Sequence, residues 1–291
     1  MPGDLKLHLL KRTVSAWNKH NATRLGASLA FYALMSLAPL MLIVVPISTL
    51  VFGRVQVETA IVRYANRAAG PAMGNALEQL AGYHGRESAG LLPAVLTFGT
   101  LLYAASLVFR ELRDALNIIW EVEPAKYTLM SIIKQYVFAM LFVLVIGIFI
   151  LVSLAFSAIL VALGRVMPAG VSVPGKSLEL VNFAGTFLIT TVVIALIFRF
   201  VPDLVIEWRW IWVGAIATAF LATIGKSLLG LYIGTVGIGS RYGAAGSLVA
   251  VTIWVYYSAQ IFFLGAEFTR VYAGAHNGLL RTRHGYEEVK E

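Results

Sequence analysis

Six stretches of the chain run for 16 to 30 residues without a charged side chain, and the short segments between them hold nearly all the Lys, Arg, Asp and Glu. They are Leu25 to Gly53, Ser88 to Phe109, Gln135 to Gly164, Leu180 to Phe198, Trp210 to Gly225 and Tyr242 to Ala266. About 20 helical residues cross a hydrocarbon core of about 30 Å, so each stretch crosses once, the fifth only by continuing past Lys226. The runs are continuously apolar rather than alternating, and a helix satisfies its backbone within the segment, so helices are predicted rather than a barrel. The pattern therefore reads as an all-α polytopic membrane protein. Its six transmembrane helices are expected at 25–51, 89–109, 135–163, 180–198, 210–232 and 244–266, within a domain covering 25–272.

The connecting segments carry patterns of their own. Leu7, Leu10, Val14 and Trp17 recur at helical spacing, which predicts an amphipathic helix in the interface within segment 1–24. In the outer segment 54–87, Val57, Ile61, Tyr64, Ala65 and Ala68 form an apolar face, and Gly70-Pro71 interrupts the pattern before Met73, Ala76, Leu77 and Leu80 resume it. Two short amphipathic helices are expected there, and residues 273–291 form a C-terminal tail.

Composition agrees with the pattern: 59% of residues are hydrophobic and 13% charged, with a mean hydropathy of +0.79. Charge then supplies orientation. Of 23 Lys and Arg, 15 fall in the N-terminal segment, between spans two and three, at Arg199 and Arg209, and in the tail from Arg270, so both termini are expected in the cytoplasm. Trp17, Trp120, Trp208, Trp210 and Trp212 lie at the same ends of the spans, where amphipathic rings favour the headgroup layer. The first 24 residues are basic and mixed and the apolar run after them is too long for a signal h-region, so span one is expected to stay as an anchor. The net charge of +8 fits topogenic charge and contact with anionic membrane lipids; no basic face with interleaved aromatics marks nucleic acid as a partner. The chain has no Cys, which excludes disulfides, thiolate metal sites and a cysteine nucleophile.

Polar residues inside the apolar stretches are the candidate functional positions. Ser28, Tyr32 and Ser36 recur every four residues and share a face of span one, and Pro39 and Pro46 follow on the same helix, so a kink or local opening is expected. After span two, Arg110, Arg113, Asp114, Asn117 and Glu121 gather on one side of Arg110 to Trp120, opposite Leu112, Leu116 and Ile119. That segment reads as an interfacial helix with its own ion pairs, or as an inner gate or headgroup contact. Between spans five and six, Gly225 to Gly246 holds seven glycines, among them Gly230, Gly234, Gly237, Gly239, Gly243 and Gly246. Such density suits close helix contact or an unwound, re-entrant segment. Lys226 either snorkels to the outer interface or meets a phosphate. On span six, Thr252, Tyr256, Gln260 and Glu267 fall within roughly an 80° arc, a stripe turned into the bundle. Glu267 reads equally as a proton or cation partner and as an anchor for Arg270.

Three blocks carry a resemblance. Ser28-Leu-Ala-Phe-Tyr-Ala-Leu-Met-Ser-Leu-Ala-Pro39, Leu112-Arg-Asp-Ala-Leu-Asn-Ile-Ile-Trp120, and Tyr242-Gly-Ala-Ala-Gly246 through Trp254, Tyr256 and Gly265-Ala-Glu267 resemble the YihY/BrkB family of bacterial inner-membrane proteins, over about residues 12 to 275. The resemblance implies an uncleaved six-helix protein of the cytoplasmic membrane. The family has carried the label ribonuclease BN, regarded as a misassignment, and some members are associated with serum resistance or lipopolysaccharide-related phenotypes. It brings no catalytic residues.

The residues themselves speak against a nuclease. Metal-dependent phosphodiester hydrolysis needs clustered His, Asp or Glu, whereas His8, His20, His84, His276 and His284 are dispersed and Asp is limited to Asp4, Asp114 and Asp203. No P-loop is present, since Gly225-Lys226-Ser227 lacks the preceding glycine. No enzyme, metal or cofactor is therefore expected. The favoured expectation is a transporter of a lipid or lipid-linked envelope molecule. The alternatives are a membrane scaffold assembled through Gly230xxxGly234 and Gly239xxxGly243, as a homodimer or with an envelope-complex partner, and a small-solute or ion transporter.

Overall fold

The computed structural model of the protein describes residues 2–52, 91–122, 175–236, 246–275 and 281–282, with a few single positions between them. In chain order these form α1 (Pro2–Lys19), α2 (Ala22–Phe52), α3 (Leu91–Ile119), α4 (Gly175–Phe200), β1 (Leu204–Val205), α5 (Trp208–Val236), α6 (Gly246–Ala275) and β2 (Arg281–Thr282). The apolar runs expected at 25–51, 180–198 and 210–232 therefore sit on helices, as does that expected at 244–266 from Gly246 onward. The expected span 135–163 and the outer segment 54–87 lie outside the described residues, apart from single positions. Among the described residues, three helical stretches are long and apolar enough to cross a membrane: Leu180–Phe200, Trp208–Tyr232 and Leu248–Ala275.

Local chemistry sets the helix ends. α1 stops at Asn21, whose φ of 51° is left-handed and which Asn tolerates better than most residues. The Asn21 carbonyl then accepts from the backbone N–H of Leu25 at 3.2 Å, so one residue closes α1 and opens α2. α3 ends in a Schellman turn: Glu121 N–H donates to Ile118 O at 3.1 Å and Val122 N–H to Asn117 O at 2.9 Å. The left-handed residue of that turn is Glu121, with φ 53°, in the place that glycine usually takes. A Cβ in that region costs about 1 kcal/mol or more, so the side chain at 121 has to earn its position.

α6 is the central helix, lying against α5, α2 and α1, while α3 packs on α2 and α4 on α5. The α5–α6 contact is an interlock of two Gly-x-x-x-Thr pairs. A Cβ on Gly214 would collide with Thr269, and one on Gly265 would collide with Thr218. Each threonine is already satisfied within its own helix, Thr218 Oγ1 donating to Gly214 O at 2.6 Å and Thr269 Oγ1 to Gly265 O at 2.7 Å. Each therefore sets its whole side chain, hydroxyl, Cβ and methyl, against the facing glycine with its hydroxyl hydrogen already placed, the close approach that small residues give membrane helices. Farther along α6, Ile261 fits against Gly225 of α5 and Gln260 against Gly26 of α2.

The main core lies toward one end of these helices. Trp120, Phe198, Phe263, Leu116 and Ile119 are all less than 2% exposed there, whereas Phe183, Leu188, Phe220, Leu228 and Leu231 face outward. The same end carries the α1–α2 turn, the end of α3, the α4–α5 connector and the end of α6. β1 in that connector pairs antiparallel with β2 of the tail, Leu204 opposite Thr282 and Val205 opposite Arg281. The described parts of the basic segments grouped by the charge pattern thus meet at one face of the bundle.

Several expectations change. The segment 110–120 is not a separate interfacial helix; it continues span two as the single helix α3, because no Gly or Pro stops the helix and the buried face runs on through Leu112, Leu116 and Ile119. α2 is helical through Pro39 and Pro46, and α5 through Gly225, Gly230 and Gly234, so neither opens within the described residues. In lipid an unsatisfied backbone group costs several kcal/mol, more than the propensity lost at one glycine. Trp120 does not face outward as an anchor would: it is 1% exposed, within the core.

Candidate functional site

Two ion-paired clusters occupy the core end, and α3 contributes to both. Arg113, Asn117 and Glu121 are spaced four apart, which puts them on one polar stripe of that helix.

In the first cluster the elements meet through His20. Its Nδ1 lies 2.5 Å from Glu267 Oε1 of α6 and its Nε2 lies 3.1 Å from Glu121 Oε1 at the end of α3. Lys19 Nζ donates to Glu121 Oε1 at 2.9 Å, and Arg270 Nη1 pairs with Glu121 Oε2 at 2.8 Å. Glu267 is completely buried and the His20 side chain is 8% exposed, so the cluster runs from the surface at Lys19 and Glu121 into the bundle. Arg270 Nε stands 3.7 Å from Glu267 Oε2, and both of these buried atoms lack a hydrogen-bond partner.

The Lys19 hydrogen bond, with Arg270 and His20, holds the Glu121 carboxyl at about 2 against the opposing effect of burial. A carboxyl lowered by folding stabilises the native state above its unfolded value, and that contribution fades as pH falls toward its folded value. Solvent screening at a side chain 38% exposed reduces the effect to about 1 kcal/mol. Glu121→Gln is therefore expected to lower stability by about that amount above pH 5, the deficit shrinking as pH falls through 4 toward 2. Thermal unfolding in detergent across that range checks it, and a deficit independent of pH would contradict it.

In the second cluster Asp203 of the α4–β1 connector receives a fork from Arg113, Nε to Oδ2 at 3.0 Å and Nη2 to Oδ1 at 2.7 Å. Asn117 closes the ring twice: its Nδ2 donates to Asp203 Oδ2 at 2.8 Å and its Oδ1 accepts from the Asp203 backbone N–H at 2.9 Å. Asn117 and Asp203 are both buried. Nearby, Arg199 donates to the Ile206 carbonyl and its guanidinium lies 5.7 Å from the Trp208 ring centroid, a cation–π contact. These bonds tie the end of α3 to the α4–α5 connector from which β1 meets the tail.

The remaining sequence candidates are scattered. Arg110 and Asp114 are half-buried on α3; burial, then Glu111, raises the Asp114 carboxyl above its ordinary value. Ser28, Tyr32 and Tyr256 are half-buried, and Ser36 Oγ donates to Ala33 O at 2.7 Å in its own helix. Gln260 Nε2 reaches the Ala22 and Thr23 carbonyls at 3.4 and 3.3 Å, while its buried Oε1 has no partner. Lys226 is exposed on α5, far along the helix from the clusters. Gly230 is exposed with nothing within 4 Å of an added Cβ. Gly246 opens α6. The side chain of Pro39, the surroundings of Gly234, and Gly237, Gly239 and Gly243 lie outside the described residues.

The structure thus brings together Asn117, Glu267 and the α3 stripe with His20, Lys19 and Asp203, which sequence reasoning did not place. The self-paired helix expected at 110–120 instead finds its partners on other elements. The four-residue spacing of Arg113, Asn117 and Glu121 marked the stripe; His20 and Asp203 carried no local signal.

The chain is 26% identical to a UPF0761 membrane protein of Verminephrobacter eiseniae over 92% of its own length and 63% of that protein's. It is 28% identical to one of Albidiferax ferrireducens over 85% of its own length and 59% of that protein's. A third, from Tolumonas auensis, is 34% identical over 34% of this chain and 32% of the relative. The chain thus spans less than two thirds of the length of these curated relatives. No solved structure matches. The family model described as Virulence factor BrkB matches residues 13–287, from within α1 to beyond β2, and so includes every residue of both clusters; this integral membrane protein belongs to the BrkB family.

Proposed function

We propose that the protein is a non-enzymatic transporter of the bacterial inner membrane, moving a lipid or lipid-linked envelope molecule, with the clustered end and both termini in the cytoplasm. The observation that carries this reading is the completely buried Glu267, tied by His20 and Glu121 across three helices at the membrane edge. Taking charges out of water costs several kcal/mol per ion, and apolar side chains of similar volume often hold helices as well or better. An ionic tie between α6, the α1–α2 turn and the end of α3 suits a contact that must open and close, as an inner gate does. The amphipathic α1, the grouped basic residues and the outward apolar faces fit a cargo drawn from anionic lipid.

The test is transbilayer movement of fluorescent phospholipid in proteoliposomes. Flux above protein-free vesicles is expected, with Glu267→Gln reducing it at least about tenfold and Lys226→Gln reporting on the other end of α5. No flux from folded protein would overturn the lipid reading. One observation favours a second reading, a scaffold: Gly230 is open on the surface of α5 and free to meet a second copy. A scaffold would show no flux and would change its oligomeric state on Gly230→Leu.

A further inference from the structure

Hydrogen counting at His20 leads beyond the gate. Both ring nitrogens face carboxylate oxygens, at 2.5 Å for Nδ1 and 3.1 Å for Nε2, and each contact needs a hydrogen between nitrogen and oxygen. Glu121 stays ionised down to about pH 2 beside Lys19 and Arg270, so it only accepts, and the Nε2 hydrogen belongs to the ring. The remaining hydrogen lies between Nδ1 and Glu267 Oε1. Without it, a nitrogen lone pair would face a carboxylate at hydrogen-bond distance, and the contact would become repulsive.

A second contact waits for the carboxylate. Glu267 Oε2 and Arg270 Nε are both buried, both without a hydrogen-bond partner, and 3.7 Å apart on neighbouring turns of α6. A small side-chain rotation closes that gap into a charge-assisted hydrogen bond. The charged groups facing the pair are Lys19 beside His20 on the α1–α2 side, Glu121 from α3 and Arg270 from α6. Arg24, in the first turn of α2, is exposed.

We propose that His20 and Glu267 form a proton-binding site that latches α6 to the α1–α2 turn. With one proton between Nδ1 and Oε1 the latch is closed; release of that proton to water leaves neutral His20 and an ionised Glu267, which exchanges His20 for Arg270 and breaks the direct tie between the turn and α6, leaving the turn on Glu121 of α3. The only bond broken is the one to the departing proton, so the balance needs no further reactant. As the coupling site of a transporter the latch rests on the reading above, but as a proton-dependent contact it is tested without cargo.

The chain contains no Cys, so spin labels on Asn18→Cys and Ala275→Cys, exposed positions of α1 and α6, report the latch in the full-length protein in lipid nanodiscs. Dipolar distance distributions are measured from pH 5 to pH 9. One short distance is expected at the acidic end, with a second, longer one growing as pH rises. Glu267→Gln is expected to abolish the pH dependence, and Arg270→Gln to shrink the long-distance population at pH 9 by about half. An unchanged distribution across the range, or the same shift in Glu267→Gln, overturns the latch. Should Glu267→Gln not fold, the unaltered protein and Arg270→Gln decide it, since an undiminished long-distance population in Arg270→Gln contradicts the exchange of partners. A working latch without lipid flux would sink the transport reading alone, and lipid flux without a latch would sink this inference alone.

Discussion

Gly265→Ala is expected to destabilise the bundle by about 3 kcal/mol, the upper end of the usual cost of overpacking. The added methyl would enter the space that the Thr218 side chain fills, with its hydroxyl, Cβ and Cγ2 all too close. Thr218 has no easy escape, because its hydroxyl donates to Gly214 O and it is 1% exposed. The facing pair behaves alike: Gly214→Ala meets Thr269, also fully buried. Either substitution must push α5 from α6, which also carries Glu267. Gly230→Ala on the same α5 meets nothing and is expected to be neutral or to gain up to about 1 kcal/mol of helix propensity. Thermal unfolding in detergent compares the three. The specific check is Thr218→Gly in the Gly265→Ala background: it should recover part of the loss, a coupling that distant sites do not show. If Gly265→Ala melts like the parent, the interlock is wrong.

Asp203→Ala is expected to cost a similar amount, about 3 kcal/mol, for a different reason. It strands Arg113, whose side chain is only 22% exposed and whose fork has no second carboxylate among the described contacts, and it leaves Asn117 Nδ2 without its acceptor. Removing one member of a buried pair costs more than the pair contributes, because the survivor keeps its desolvation. Asp203→Asn keeps an acceptor and should lose about half as much. Arg209→Ala, which removes an exposed pair with Glu207 and the cation–π contact of this exposed side chain with Trp210, should change stability by less than about 1 kcal/mol. The same unfolding measurements decide, and an Asp203→Ala protein as stable as Arg209→Ala would contradict the assignment.

Much of the fold was readable because lipid imposes a simple rule: a helix must be about 20 apolar residues long, and the runs announce themselves. The expected spans 180–198 and 244–266 match α4 and α6 to within a few residues at most ends; α6 runs on to Ala275 because Glu267, Thr269 and Arg270 find partners inside the bundle. The charge grouping also anticipated which ends meet. Pairing was not legible. Periodicity puts Arg113 and Glu267 on a face but does not say what that face meets, and their partners, Asp203 and His20, are 90 and 247 residues away. Glycine density drew attention to 225–246, where Gly225 meets Ile261, but the reciprocal interlock among the described residues falls at Gly214 and Gly265, where the informative signal was Gly-x-x-x-Thr repeated on two helices. Density marks permissiveness; only a facing side chain turns one glycine into a requirement.

The most direct test of the proposed gate joins Asn18→Cys and Ala275→Cys with a short, cleavable thiol crosslinker and measures phospholipid flux in proteoliposomes before and after cleavage. Flux is expected to stop in the crosslinked protein and to return when the link is cut. Equal flux in both states would show that α1 and α6 need not separate for lipid to cross.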